Sequence, residues 1–330
     1  MTSNEDYRAL TGGAALGAVA ARAAIGLAGA DRATFLQGLL TNDMRTIEAD
    51  AGCYAAWLTP QGRMLMDLHV FNAGSRMVVD VPAELHAATL QRLDQSIFSE
   101  DVQIQDLSSA LVPVWIHGPA AAHALEQATG ATGLGSWAEY RNVSLTFDGA
   151  PALLARVSQL GVPGFCLYVE SSRASALTSA LQSAGAVVAG RDAIEAARVE
   201  SGYPVFGVDM TDDTIPLEAG IEARAISFTK GCYVGQEVIV RVLHRGQGRV
   251  ARRLVGLRAE RDGAAAGARI TSEGRDVGWV TSAARSPRTG SVAMGYVHRD
   301  VADAGARVEI QVTDGTVGAE VSGFPIVRAG

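Results

Sequence analysis

Apolar positions along the first 200 residues follow two alternating rhythms, one with the period of a strand and one with the period of a helix. "AAIGLAG" predicts a strand, and "DRATFLQGLLTND" a helix capped near Asp31 and stopped at the Asn-Asp turn. "GCYAAWLTPQGRMLMDLHVFNAGSRMVVDVP" predicts three strands, with turns at "TPQGR" and "NAGS". In the middle strand Leu65, Asp67 and His69 are expected on one face and Met64, Met66, Leu68 and Val70 on the other. "AELHAATLQRLDQSI" reads as a helix with Leu85, Leu90, Leu93 and Ile97 on one side. "VQIQDLSSALVPVWIHGPAAAHALEQAT" and "FCLYVESSRASALTSALQSAGAVVAG" each repeat strand-then-helix, and "GRDAIEAARVESGYP" adds a helix ending near Glu200.

The rhythm changes after about residue 245. "RRLVGLRAE", "SVAMGYVHRD" and "ARVEIQVTDGTVGAEVSGFPIV" alternate over short distances between glycine-rich turns, which suggests a small antiparallel barrel or sandwich. The fold class expected is α+β, with an α+β region over residues 1–244 and a β-barrel over 245–330. "HRGQGR" at 244–249 reads as the hinge between them. At the other end, "RALTGGAALGAVAARAAIGLAGA" reads as an alanine-rich helix leading into a strand. It is too weakly apolar for a secretory signal, has Arg22 in its middle and follows acidic Glu5 and Asp6.

Composition narrows the function. The 330 residues are 48% hydrophobic and 19% charged, as in a soluble globular protein. A net charge of -7 argues against a nucleic-acid binder that works by neutralising phosphates. No run of eighteen apolar residues offers a membrane span. Three scattered cysteines, Cys53, Cys166 and Cys232, make neither a disulfide framework nor a metal cluster, so no metal is expected and a reducing cytoplasm is the simplest compartment. Cys53 and Cys166 are expected in the core, and His69, His117 and His298 to be structural or at the surface. Of the 28 basic residues only one, Lys230, is a lysine.

That lysine stands in "FTKGCYVGQEVIVR", residues 228–241, where a thiol sits two residues beyond it. On residue type alone Cys232 is better explained as a small buried hydrophobe than as a nucleophile. The chemical alternative is a thiolate favoured by the Lys230 charge. Gly231 and Gly235 imply a tight backbone path against something close, although the order of a phosphate-binding P-loop is absent. Two carboxylates raise similar questions. Glu200 lies near a helix C-terminus, where the macrodipole disfavours an anion, so it is either exposed, paired with an arginine or facing a ligand with two adjacent N–H donors. Asp67 in an apolar strand is either at an exposed edge or paired.

"KGCYVGQE" followed by "HRGQGRVARRLVGL" resembles the signature of the YgfZ family of folate-binding proteins, relatives of the glycine-cleavage T-protein, an aminomethyltransferase. "GADRATFLQGLLTND", "RVESGYPVFGVDMTDDTIPLEAG" and "DVGWVTSAARSP" are similar to further blocks of the same family, so the resemblance spans all but the first 20 or so residues. It implies three lobes in a ring around a central folate channel, and a monomer that binds tetrahydrofolate and supports iron–sulfur client or assembly proteins. Asp67 and Glu200 occupy the positions at which T-proteins place folate-site acids, and a carboxylate can accept both donors of a pterin edge. Tyr233, Gln236, Glu237 and Arg241 are expected beside the folate, with Cys232 as the reactive thiol and Lys230 tuning it. Where T-proteins carry a tyrosine beyond the strand aspartate this chain has Met77 and Val78, and "KGCY" replaces an arginine-containing segment. Both departures fit the YgfZ branch. The rival expectations are a folate-dependent aminomethyl or methyl transferase, and a non-catalytic scaffold for client proteins.

Overall fold

The computed structural model describes residues 3–244 and 249–326. Helix α1 (Ser3–Gly12) and the two-residue strand β1 (Ala15–Leu16) precede strand β2 (Arg22–Ala28). The alanine-rich run is therefore not the helix; the helix lies upstream, in the acidic "SNEDYRALTG". Glycines at 12, 13 and 17 disfavour continuing it, and β1 gains partners on both sides instead: Ala15 pairs with His117 and with Val187.

Helix α2 (Arg32–Leu39), strands β3 (Gly52–Leu58), β4 (Met64–Asn72) and β5 (Met77–Pro82), helix α3 (His86–Gln95) and strand β6 (Gln103–Asp106) complete the first lobe. Its five-stranded sheet has the order β3-β4-β5-β2-β6. The expected alternation in β4 holds from Met66 onwards: Met66, Leu68 and Val70 pack under α2 and α3, whose Leu36, Leu90 and Leu93 join the same core. Met64 departs from it and packs with Tyr54 and Leu58, because a bulge between Trp57 and Leu58 shifts the register there.

Strand β7 (Leu111–His117), helix α4 (Ala121–Thr129), strands β8 (Asn142–Phe147), β9 (Ala150–Arg156) and β10 (Gly164–Glu170), helix α5 (Ala174–Ser183) and strand β11 (Val187–Val188) form the second lobe. Its sheet runs β11-β1-β7-β10-β9-β8, so β1 carries the N-terminus into it. The two sheets meet face to face, with Ala24, Phe71 and Val78 of the first against Trp115, Cys166 and Tyr168 of the second.

Helix α6 (Arg191–Ser201) follows, ending at Gly202 with φ 74°. A side chain there would strike the ring of Phe324, at 2.1 Å from its nearest atom, so glycine serves both the left-handed cap and the close packing. Helices α7 (Glu222–Ala225) and α8 (Gln236–His244) lead to the last lobe. Strands β12 (Arg252–Ala259), β13 (Arg269–Ser272), β14 (Arg275–Ser286), β15 (Gly290–His298), β16 (Arg307–Val312) and β17 (Gly315–Ser322) close into an antiparallel barrel in the order β12-β15-β14-β13-β16-β17. Its interior is filled by Leu257, Ile270, Val280, Val297 and Ile310. The expected barrel and the expected α+β content are both present. Most of the expected hinge, residues 245–248, lies outside the described residues. Among the described residues no helix is long and apolar enough to cross a membrane.

Candidate functional site

Asp67 lies in β4, an interior strand, and is 2% exposed, so edge exposure does not explain it. It is paired instead. Arg22 Nη1 donates to its Oδ1 at 3.0 Å, and the Tyr54 hydroxyl donates to Oδ2 at 3.0 Å. The rest of the Arg22 fork is taken by Asp80 of β5: Nε to Oδ2 at 3.0 Å and Nη2 to the backbone carbonyl at 2.8 Å. His69 Nδ1 meets the same Asp80 Oδ2 at 2.8 Å. Burial works against the Asp80 anion, but Arg22 and His69 outweigh it and hold Asp80 below the usual carboxylate range. Burial likewise opposes the Arg22 charge, and Asp80 with Asp67 more than reverses that. Strand alternation on three neighbouring strands thus puts a charged cluster on the sheet face that looks towards the second lobe.

Around it are aromatic side chains from both lobes. The His69 ring lies 5.4 Å from Tyr54 and 6.0 Å from Tyr140. Arg224 of α7 is sandwiched, its guanidinium carbon 4.5 Å from the Tyr54 ring centre and 4.3 Å from that of Tyr203. Arg22 also lines a cavity of about 820 Å³, together with residues 17–21, Glu195 and Arg198.

Glu200 is 2% exposed and does not line that cavity. Its carboxylate accepts hydrogen bonds from Tyr7 of α1 and, in the turn between β14 and β15, from Ser286, from Arg288 at 3.1 Å and from Thr289 at 2.5 Å. Asp67 does not line that cavity either, so the expectation that the two acids share one pocket is corrected for both. Both Glu200 oxygens are spent in tying α1, α6 and the barrel together, which also answers how an anion is tolerated at this helix end. Burial first, and then Glu200, push the Tyr7 hydroxyl up to about 12. Two acids of α6 line the cavity, Asp192 and Glu195; Glu195 is gripped through both oxygens by Arg198 at 2.8 and 2.7 Å. Its place in the sequence, on the cavity side of the same amphipathic helix, was available as a signal and was missed.

Lys230 is engaged with the backbone at a helix end. Its ammonium donates to the carbonyl oxygens of Gln37, Leu40 and Asn42 at 2.7, 2.5 and 2.9 Å, so all three of its N–H bonds serve the C-terminal end of α2. Burial pushes its pKa down to about 8, while Asp43 and Cys53 act the other way. The thiol that feels this charge is Cys53, which burial nevertheless pushes up to about 12. Gly235 (φ 85°) explains the tight path: a side chain there would meet the Thr59 carbonyl at 2.5 Å, so the partner is the protein's own β3–β4 turn.

The other motif residues do not converge on Asp67. Tyr233 is buried beneath the Lys230 ammonium, 4.9 Å from its ring centre, in a core with Leu58 and Ile239. Gln236 starts α8 and is partly exposed, and Glu237 and Arg241 are exposed on that helix. Cys232 is exposed, Cys166 buried and Cys53 in between. Burial also holds His117 neutral, with a pKa down to about 4. Among the described residues no group of three or more His, Cys, Asp or Glu side chains is placed to hold a metal ion.

Two sheets packed through a charged, aromatic layer and followed by a closed barrel define the T-protein class of fold. Residues 2–230 match the GCVT N-terminal domain, and residues 252–327 match the glycine cleavage T-protein C-terminal barrel domain. The chain belongs to the glycine-cleavage T-protein family. It is similar to an aminomethyltransferase of Nostoc sp., 31% identical over 309 residues that cover 89% of this chain and 79% of that one. Another similar aminomethyltransferase, from Rubrobacter xylanophilus, is 30% identical over 271 residues, 82% of this chain and 72% of that protein. A solved structure, the glycine cleavage system aminomethyltransferase T from Bartonella henselae, superposes with a TM-score of 0.87 at 25% identity, covering 98% and 89% of the two chains.

Proposed function

We propose that the protein binds a reduced folate against the charged face of the first sheet and acts as a folate-dependent one-carbon transferase of the aminomethyltransferase type. The observation that carries this reading is the fixed, buried Asp67, held by Arg22 and Tyr54 at the position that the family resemblance assigns to a folate-site acid. A cavity of about 820 Å³ is large enough for such a ligand, since small-molecule sites run to roughly 300–1,000 Å³. Arg22 belongs both to that cavity's wall and to the Asp67 ion pair, so a ligand there lies one side chain from the carboxylate. The names of the similar relatives support the transferase chemistry.

Each residue has a defined task in this reading. Tetrahydrofolate supplies the nitrogens that accept the one-carbon unit. Arg22 and Tyr54 keep the Asp67 carboxylate in one orientation before any ligand arrives, and a preoriented charge in a water-poor site stabilises positive charge arising nearby. Asp67 is the acceptor for a proton or a cationic nitrogen. Asp80 and His69 hold Arg22 from behind. The test is a reaction of the purified protein with tetrahydrofolate and an aminomethylated lipoyl carrier. Methylenetetrahydrofolate should form, and Asp67→Asn should abolish it; no product at high enzyme concentration would refute the transferase.

One observation favours a second reading, in which a folate-binding protein of the YgfZ type supports iron–sulfur enzymes in the cytoplasm. Cys232 is exposed, on a loop whose backbone Lys230 and Gly235 hold in place. A lone thiolate cannot ligate a cluster alone, so its encounter with iron or sulfur would be shared with a client. Cells carrying Cys232→Ser should then lose activity of a cluster-dependent enzyme, and undiminished activity would remove the thiol from the mechanism.

A further inference from the structure

Arg224 is short of partners. Its guanidinium donates no hydrogen bond and joins no ion pair among the described residues, although it carries five N–H groups and is only partly exposed. Tyr54 and Tyr203 both lie within cation–π distance of it, a contact that leaves the N–H donors themselves unused. The side chain is also held in place from behind. Its own backbone carbonyl accepts from the Asn42 amide at 3.1 Å, and that amide also donates to the Tyr54 carbonyl at 2.9 Å.

The other end of the Tyr203 ring shows a matching shortage. Gln159 Nε2 reaches the Tyr203 hydroxyl at 3.4 Å, while Gln159 Oε1 is buried with no donor. A buried acceptor without a partner costs about 1–3 kcal/mol, and an idle guanidinium loses the charge-assisted bonds it is shaped to make. The residues around these groups, Tyr54 and His69 from one lobe and Tyr140 and Gln159 from the other, belong to the seam between the two sheets and are not among those that line the 820 Å³ cavity.

We infer that Arg224 is a ligand-binding residue whose unused N–H groups take an acceptor oxygen of the bound molecule, either a carboxylate or the oxo group of a planar heterocycle. The bound molecule presents its oxygen in the plane of the guanidinium, and a donor elsewhere on it satisfies Gln159. The inference rests on the folate reading only for the identity of the ligand. A reduced folate has both kinds of oxygen, a ring oxo group and glutamyl carboxylates, and the experiment separates them.

Calorimetric titrations of wild type, Arg224→Leu and Arg224→Lys with three probes decide it: tetrahydrofolate, a tetrahydropterin (ring alone) and p-aminobenzoylglutamate (carboxylates alone). Arg224→Leu should weaken tetrahydrofolate by about 10- to 100-fold, as expected for a hydrogen bond to a charged group, with Arg224→Lys in between. The fragment that loses affinity in step names the oxygen. Thermal melts within a few degrees of wild type would exclude misfolding as the cause, and if Arg224→Leu does not fold, Arg224→Lys and Arg224→Gln carry the comparison. Tetrahydrofolate binding unchanged by Arg224→Leu overturns the inference and leaves the folate reading intact. A fragment that binds through Arg224 while tetrahydrofolate does not bind removes the folate reading and leaves the inference standing. No binding of any probe to wild type overturns both.

Discussion

Lys230 Nζ donates to the Leu40 carbonyl oxygen at 2.5 Å, joining the "KGCY" loop to a helix end 190 positions earlier in the chain. With the Gln37 and Asn42 carbonyls it forms a three-point cap, and a compact ammonium can converge on three oxygens where a planar fork cannot. Lys230→Met keeps the stem and abandons three carbonyls, and should cost roughly 2–4 kcal/mol in denaturant unfolding. Lys230→Arg should recover less than half of that. A loss below about 0.5 kcal/mol, the scale of an ordinary surface change, would contradict the cap.

The thiols should divide by burial. An aromatic disulfide reagent should titrate one thiol quickly in the folded protein and all three after denaturation. Cys232→Ser should remove the fast phase, since burial pushes Cys53 up to about 12 and Cys166 well above the usual thiol range. A fast phase surviving that substitution would contradict the assignment.

Acid should act through His117. Its folded pKa, about 4, lies below the ordinary value of 6.5, so the unfolded chain binds more protons between those limits. The folded state is therefore fully favoured above pH 6.5, and stability falls as the pH drops towards 4, by at most roughly 3 kcal/mol. His117→Gln keeps a donor for the Gly17 carbonyl and should flatten unfolding free energy between pH 6.5 and 5, a window above the titration of Asp80. An unchanged slope in the variant would refute this.

Glu200 should matter for folding more than for ligand. Glu200→Ala strands Tyr7, Ser286 and Thr289, and should destabilise by roughly 2–4 kcal/mol. The folded fraction should still bind tetrahydrofolate within about threefold of wild type, a difference of under 1 kcal/mol. A selective loss of affinity at unchanged stability would return Glu200 to the ligand site.

Periodicity alone carried the three strands of the first sheet and the texture of the barrel, because both are set by local alternation. It left the β8–β9 hairpin, residues 142–156, unassigned, although an Asp-Gly turn between two apolar runs is a hairpin signal. The resemblance named Asp67, but what holds it was illegible. Arg22 looked like an interruption in an alanine run, and Asp80 carried no signal of its own, until the register of β2, β4 and β5 put them side by side. Glu200 misled for the complementary reason, because its donors come from a helix and a turn that are remote in sequence. Lys230 was singled out by its uniqueness, yet its three acceptors are backbone atoms, which no side-chain pattern reveals.

Titration of the purified protein with tetrahydrofolate, in wild type and in Asp67→Asn, tests the central claim most directly. The account predicts saturable one-site binding that weakens at least about tenfold, or 1.4 kcal/mol, when the Asp67 charge is removed. No measurable heat at millimolar ligand, or equal affinity in the two proteins, would contradict it.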